Sequence, residues 1–321
     1  MEQRRYGTET KLEITMNRKY ATKAFYIRKW LLLMDKVVDP MYSYWYRAKQ
    51  HYRNLTGKKL DYHHPHDINE KLMWLTRYWQ HPLKTKCADK YLVREYVKDC
   101  GLEEILVPLI AVYDNANDID FEHLPNSFVL KCNHGSGFNI IVRDKSTLDP
   151  ESTRKKLNEW MSIDFDTLAQ EIHYHDIPHK IVCEELISNR APLEFQCWCI
   201  NNKVDSLLVC RKNDDGTYDA WSYSTSWEHL CERKSEDINN DEIEKPKNLS
   251  TILEYATKLC KPFPFVRADF YLVNNILYFA ELTFTPATNI LSSYKDEFIC
   301  RLGSNLTLPP KYIPQNRQNE F

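Results

Sequence analysis

Lys131 ends an apolar run, Phe128, Val129 and Leu130, and Gly135 and Gly137 follow within six residues. The chain has only seven glycines in 321 residues, and two of them lie here, one residue apart. A strand that delivers a lysine into a small flexible loop suits anion binding. Glycine lets the backbone come close, exposed N–H groups point at anionic oxygens, and the ammonium adds positive charge. The chain turns apolar again at Phe138, Ile140 and Ile141, so the stretch predicts a hairpin whose tip can lie against phosphates. A short Gly-x-Gly is weak evidence by itself, and a tight hairpin carrying an incidental lysine has the same spacing.

A second cluster lies toward the C-terminus. Val266 to Tyr271 and Tyr278 to Pro286 predict two strands, with a turn supplied by Asn274 and Asn275. Side chains alternate along a strand, so Arg267 and Asp269 share one face, and Glu281 and Thr283 share a face on the next strand. Pairing across the turn can bring Asp269 and Glu281 together. Two carboxylates beside a further oxygen donor suit Mg²⁺, which takes few protein ligands and completes its shell with phosphate and water. A surface hairpin with ordinary solvated charges fits the same residues. A phosphate loop and a magnesium pair in one chain together suggest a nucleotide enzyme.

The elements that must position these residues follow from the pattern. The helical stretches are 15–56, with Pro40 as its one breaker, Asn69 to Tyr78, Asp89 to Cys100, 150–160 and 164–173, and Ser250 to Cys260. Gly101 stands where a C-terminal cap belongs. Ile105 to Tyr113 is strand-like, with Pro108 favouring a sheet edge. Lys180 to Ile187 is an apolar strand ending in acids. Phe195 to Ile200, Val204 to Cys210 and Tyr218 to Tyr223 predict an antiparallel sheet, and Glu228 to Lys247 a polar loop. The divisions expected are a basic, aromatic-rich helical arm over 1–60, a small α+β unit with N-terminal helices over 61–187, and a larger antiparallel-sheet unit over 188–321.

Composition bounds the class. The length allows one or two domains with a real core. Aromatic residues make up 13% of the chain, which marks it as folded rather than disordered. No apolar run approaches the ~18 residues that suggest a spanning helix, and no signal-peptide pattern opens the chain. The ten cysteines form no CxxC pair, and Cys197-Trp-Cys199 is poor metal-site spacing, so reduced thiols in a cytoplasmic protein are expected. His63-His64-Pro-His66 and His173-Tyr-His175 have no partners at zinc-finger spacing and suit loops. Net charge is −2, but residues 1–60 carry 14 Lys/Arg against five Asp/Glu. That segment, with Phe25, Tyr26, Trp30, Tyr42, Tyr44, Trp45 and Tyr46, fits two roles. Residues 1–56 could make peripheral contact with an anionic membrane at its inner face, or the aromatics could pack on the main domain. Nucleic acid is not an expected partner.

Loop lysine, acid-ended strand and carboxylate hairpin, in this order, resemble the ATP-grasp fold, in which two α+β subdomains close over ATP. The chain resembles one branch most, the TupA-like ATP-grasp family of teichuronopeptide and polysaccharide biosynthesis. The residues that carry the resemblance are Ile68 to Leu75, Ala88 to Val97, Phe128 to Gly137, Phe263 to Tyr271 and Ala280 to Pro286, within a match from about residue 52 to 309.

The resemblance implies roles. Lys131 contacts the nucleotide phosphates, and the helix opened by Asp89 and Lys90 brings a second cation five residues after the Asp, at Arg94. His134, Gly135, Ser136 and Gly137 form a flexible phosphate cover. Glu184 and Glu185 fall at the hinge, where backbone groups of Glu185 and Ile187 hydrogen-bond adenine, and Glu194 holds the ribose hydroxyls. Arg267 stabilises the transferring phosphoryl or acyl-phosphate group, and Arg211 is the substrate-side candidate. Asp269, Glu281 and Thr283 are the magnesium ligands. Thr283 stands where the wider fold has asparagine; the TupA-like branch also has threonine there, and its hydroxyl is a weaker ligand. Gln196 replaces a lysine common in the branch, and no histidine follows Arg211 in Lys-Asn-Asp-Asp-Gly216.

The implied cofactors are ATP and Mg²⁺. The implied activity is ADP-forming carboxylate–amine ligation through an acylphosphate. Its partners are an amino acid and a sugar acid or amino sugar of a bacterial surface polysaccharide, such as capsule or O-antigen. Phosphoryl transfer to a sugar hydroxyl needs the same ATP site, and a glycosyltransferase-associated nucleotide-binding scaffold is the non-enzymatic alternative. No Asp-x-Asp motif lies on a convincing nucleotide-sugar strand.

Overall fold

The structure, a computed structural model, describes residues 40–166, 170–213, 217–234, 243–315 and 317. The arm before residue 40, with Phe25, Tyr26 and Trp30, lies outside the described residues, as do parts of the helix expected over 164–173 and of the loops at 214–216 and 235–242.

Four helices come first: α1 (Pro40–Thr56), α2 (Ile68–Tyr78), α3 (Pro82–Ala88) and α4 (Val93–Asp99). The start of α2 is fixed by Asp67, whose carboxylate accepts from the Glu70 N–H, while the Glu70 carboxylate accepts from the His66 N–H. The single helix expected from Asp89 to Cys100 is instead a turn followed by α4. The Asp89 carboxylate accepts from the N–H groups of Tyr91 and Leu92, offering the backbone an alternative to helix at that point. Gly101 adopts φ +72 at the end of α4, in the place expected for it.

A four-stranded antiparallel sheet has the order β1 (Leu109–Tyr113), β4 (Ile181–Glu185), β2 (Phe128–Cys132), β3 (Asn139–Val142). Pro108 duly precedes an edge strand. Phe128, Leu130, Cys132, Ile181 and Cys183 turn their side chains into a core closed by Leu157 of α5 (Pro150–Met161). A six-stranded antiparallel sheet has the order β10 (Ile276–Thr283), β9 (Phe265–Val273), β5 (Leu193–Ile200), β6 (Lys203–Lys212), β7 (Tyr218–Ser224), β8 (His229–Leu230). Its core takes Ile252, Ala256 and Leu259 from α6 (Leu249–Cys260) and Phe298 and Leu302 from α7 (Asp296–Asn305).

The N-terminal helices belong to that second core. Tyr44, Trp45, Tyr52, Leu72, Trp74 and Val97 are buried in the same cluster as Phe195, Phe263 and Phe270. The grouping of these helices with the small sheet therefore differs from how the cores divide. Of the two roles open for the aromatics, Tyr44 and Trp45 take the packed one, since both are 4% exposed and buried in the protein. No helix among the described residues is long and apolar enough to cross a membrane. All ten cysteines are free, as expected.

Two hairpin turns use asparagine pairs. Asn201 and Asn202 join β5 to β6 at φ 47 and 67, and Asn274 and Asn275 join β9 to β10 at φ 51 and 66. Both central residues lie at positive φ, which suits the twist of a two-residue hairpin. α7 also makes a close approach. A Cβ on Gly303 would lie 2.7 Å from backbone atoms of Asp67 and Ile68, and Lys71 Nζ donates to the carbonyls of Gly303 and Leu306 at 2.7 Å each. Gly303→Ala is expected to cost ~1–3 kcal/mol, because backbone cannot yield as a side chain can; a denaturant midpoint shift measures it.

Candidate active site

The hairpin register does not follow from its turn alone. Val273 pairs with Ile276 and Phe270 with Phe279, but Glu281, not Ala280, lies opposite Asp269. A bulge at Ala280 inserts the extra residue. Without it Glu281 would oppose Ala268. The bulge thus sets Glu281 across from Asp269 and Thr283 across from Arg267. Thr283 Oγ1 donates to Glu281 Oε1 at 2.8 Å and lies 3.3 Å from Asp269 Oδ2.

These side chains occupy two depths. Glu281 and Thr283 line a cavity of about 310 Å³. Asp269 lies beneath, 0% exposed, with Arg267 Nε at 2.9 Å and 3.1 Å from its two oxygens. Burial pushes the Asp269 carboxyl up, and Arg267, which acts to lower it, offsets this only in part. A guanidinium stays charged, so the two form an ion pair. Burial also acts to raise Glu281, but Lys90, Arg267 and the Thr283 hydroxyl more than offset it and hold this carboxyl below its ordinary value. Glu281 is therefore an ionised oxygen donor at neutral pH.

The opposite wall of the same cavity comes from the small sheet and α4. Lys131 and Glu184 occupy the face of β2 and β4 that points away from the small core. Glu184 takes Lys131 Nζ at 2.7 Å and Arg94 at 3.0 Å on its two oxygens. Ser136 and Gly137 reach the cavity at the exposed tip of the β2–β3 loop, where Gly137 has φ +78. The cavity runs into a larger pocket of about 580 Å³, with Lys131, Asn139, Glu194, Tyr218 and Tyr271 common to both. Glu185 and Ile187 line this second pocket. The Glu185 N–H donates to the Pro108 carbonyl, so its own carbonyl is the group left for a ligand. Burial raises Glu194, while Gln196 donates to it at 2.9 Å.

Some expected residues are elsewhere. His134 is 0% exposed, stacked on His179 at 3.5 Å, with its Nε2 3.2 Å from the Trp160 carbonyl. Gly135 is buried too, against the Phe165 ring, where a Cβ would come within 2.7 Å. The flexible cover expected over 134–137 is thus anchored in its first half and open only at Ser136 and Gly137. Arg211 binds Asp219 at 2.6 Å over the Trp221 ring and lines neither pocket. Lys90 is a site residue that sequence reasoning left without a role. Its ammonium donates to the Gly135 carbonyl and bears on Glu281. It sits in the irregular turn after Asp89, where no periodicity marks it.

Burial, with the His179 ring beside it, pulls the His134 imidazole down to about 4 from 6.5. The unfolded chain therefore takes up this proton first as the medium acidifies. His134 contributes stability that is present above ~6.5 and lost as pH falls toward 4, ~3 kcal/mol at the limit. Wild type is expected to lose more stability than His134→Gln across that window, as followed by denaturant titration at each pH.

Among the described residues no group of three or more His, Cys, Asp or Glu could hold a metal ion. The oxygens of Glu281, Thr283 and Asp269 nevertheless fit Mg²⁺, a hard cation that needs only one or two carboxylates when phosphate completes its shell. Engaging Asp269 would require Arg267 to give up part of its hold.

Two antiparallel α+β units that share a cleft lined by lysine on one side and carboxylate on the other define an ATP-grasp protein. The chain belongs to the TupA-like ATPgrasp family, whose model matches residues 70–307. No curated protein matches it. Among solved structures it is similar to D-alanine–D-alanine ligase from Bacillus anthracis, at 17% identity and TM-score 0.43, covering 68% of this chain and 62% of that one. It is also similar to L-amino acid ligase from Bacillus licheniformis, at 15% identity and TM-score 0.41, covering 61% and 42%. A third is D-alanine–D-alanine ligase from Helicobacter pylori, at 19% identity and TM-score 0.36, covering 69% and 61%. The chain spans less than two thirds of the length of each of these three proteins.

Proposed function

We propose that this protein is an ATP-dependent, ADP-forming carboxylate–amine ligase that joins an amino acid to a sugar acid or amino sugar of a bacterial surface polysaccharide. The supporting observation is the shared cavity, in which Lys131 and Arg94 face Glu281 and Thr283. Two cations and a carboxylate meeting in one cavity suit a polyphosphate and its counter-ion better than they suit a neutral sugar.

In this proposal adenine occupies the larger pocket, with the Glu185 carbonyl and the Ile187 N–H as its hydrogen-bond partners and Glu194 at the ribose. Lys131 and Arg94 exchange Glu184 for phosphate oxygens, and the N–H groups of Ser136 and Gly137 close over them. Glu281, Thr283 and Asp269 would hold Mg²⁺, which supplies charge neutralisation at the phosphates. A substrate carboxylate oxygen attacks the γ-phosphorus, the bond to the β-phosphate oxygen breaks, and ADP leaves. The amine of the second substrate then attacks the acylphosphate carbon, loses a proton, and expels inorganic phosphate. Arg267, carrying positive charge beneath the site, stabilises the phosphoryl group in transfer. The enclosed cavity limits the water that would hydrolyse the acylphosphate.

A phosphate-release screen of amino acids against uronic acids and amino sugars tests this. Release that requires both a carboxylate and an amine, with an amide product, is expected. A product that retains the phosphate on a sugar hydroxyl would instead identify a kinase.

The localisation proposed is cytoplasmic, with the basic segment before residue 40 contacting anionic lipid at the inner membrane face. Because α1 is part of the core, the clean comparison is a chain beginning at residue 40. That chain is expected to lose the weak, salt-sensitive binding of the full chain to phosphatidylglycerol liposomes, measured by co-sedimentation; equal binding would remove the proposal.

A further inference from the structure

A separate cavity of about 250 Å³ lies on the other side of α3. Pro82, Lys84 and Thr85 of α3 line it, whereas Cys87 and Ala88 of the same helix line the central cavity. The single turn over 172–174 divides the two spaces in the same way. Ile172 and His173 face the side pocket and Tyr174 the central cavity. The wall between the two spaces is thus one short helix and one turn.

The side pocket holds a cation with nothing to bind. Lys84 is 3% exposed, and its ammonium has no hydrogen-bond or ion-pair partner among the described residues; its nearest neighbour of note is the Phe284 ring, 5.8 Å to the centroid. The carboxylate that faces it, Glu171, is occupied by the Thr285 hydroxyl and lies 3.7 Å from His173 Nε2. The other cation in the pocket, Arg317, is already engaged by Asp176 at 2.8 Å and Gln80 at 3.1 Å. An ammonium this enclosed is costly to leave without an acceptor, so an anion entering the pocket that Lys84 lines would be favoured. Burial pulls Lys84 down to about 8, so it still carries its proton at neutral pH. Asp176 sits at the exposed side of the same pocket; its Oδ2 holds Arg317, and its Oδ1, without a hydrogen bond among the described residues, is the oxygen open to a positive group.

We infer that this side pocket binds a small carboxylate of free amino-acid size, with the ligand's carboxylate on Lys84 and its ammonium toward Asp176. The choice of an amino acid as that ligand rests on the ligation proposed above. The pocket itself stands without that proposal. A volume of about 250 Å³ admits one such molecule and excludes a sugar on a lipid carrier.

The test is ligand-observed NMR on the full chain with glycine, L-alanine, L-glutamate and acetate, with methylamine and inorganic phosphate as comparisons. At least one carboxylate is expected to bind the wild type, and Lys84→Met to weaken it at least ~10-fold, as befits a lost hydrogen bond to a charged group. Thr85→Phe, which fills the pocket without altering its charge, is expected to weaken it as well. Melting curves establish that each variant is folded, and either variant suffices. Failure of every carboxylate to bind the wild type, binding to Lys84→Met as tight as to the wild type, or binding confined to methylamine or phosphate would each overturn the inference. ATP–Mg²⁺ binding measured on the same wild-type sample separates the two proposals, because its absence would sink the ligase and leave the pocket standing.

Discussion

Lys131→Met is expected to lower ADP release at least ~10²-fold, equivalent to ~3 kcal/mol of lost transition-state stabilisation. Among the described residues Lys131 is the single cation that faces both pockets, and it sits on a strand rather than a mobile loop. In the proposed function it stands where charge develops as a phosphoryl group leaves. The fold should survive the change. Glu184, 9% exposed at its side chain, keeps Arg94 at 3.0 Å, so no buried carboxylate is stranded. A loss of activity with an unchanged melting temperature is therefore the expected signature. Near-normal turnover would mean that another cation holds the phosphates. Arginine is not a conservative substitute here, since its planar fork would reach Glu184 and phosphate differently from a point charge.

Glu281→Gln is expected to have a comparable or larger effect, ~10²–10³-fold in turnover, with a raised Mg²⁺ requirement. Glu281 is the one carboxylate of the hairpin that opens on the cavity, and Lys90 and Arg267 hold it ionised. Asp269 cannot take its place while both of its oxygens are held by Arg267. The amide keeps the shape and the hydrogen bond to Thr283 but removes the charge a divalent ion needs. Turnover measured against Mg²⁺ concentration distinguishes the two ways of losing activity. A curve displaced to higher Mg²⁺ marks a metal ligand, and a lower plateau at unchanged Mg²⁺ dependence marks a group acting on the substrate.

The charges of this site come already interlocked. Glu184 pairs with both Lys131 and Arg94 on one wall, leaving it net positive, and Asp269 pairs with Arg267 on the other. Buried charges left single would cost several kcal/mol each, so pairing them lets the cleft exist without a ligand. In the proposed function a nucleotide and its metal enter by exchanging partners rather than by meeting bare charges.

Much of this was legible in the sequence because it is local. The strand ending in Lys131, the Asn-Asn turn, the acid-ended strand at Glu184 and Glu185 and the cap at Gly101 each depend on a few neighbouring residues. The elements that carry them stand close to where alternation and turn chemistry predict. The family resemblance supplied the rest of the outline. Three features escaped because they depend on long-range packing. The bulge at Ala280 leaves no mark in a hairpin sequence, yet it decides which residue faces Asp269. His134 lies within the loop, but His179 and Trp160, distant in sequence, draw it inward and away from the cavity. The helices after residue 61 stand next to the small sheet in the sequence, and the shared burial of Trp74, Val97 and Phe263 is what places them in the core of the larger one. Lys84 stayed invisible for the same reason. A lysine in a short helix reads as solvated until the structure encloses it.

The most direct measurement is a crystal structure with a non-hydrolysable ATP analogue and Mn²⁺, whose anomalous signal locates the metal. The expected result is a triphosphate lying between Lys131 and Glu281, the metal peak within bonding distance of a Glu281 oxygen, and adenine beside Glu185 and Ile187. A nucleotide bound outside this cleft, or a metal peak remote from the β9–β10 hairpin, would contradict the account.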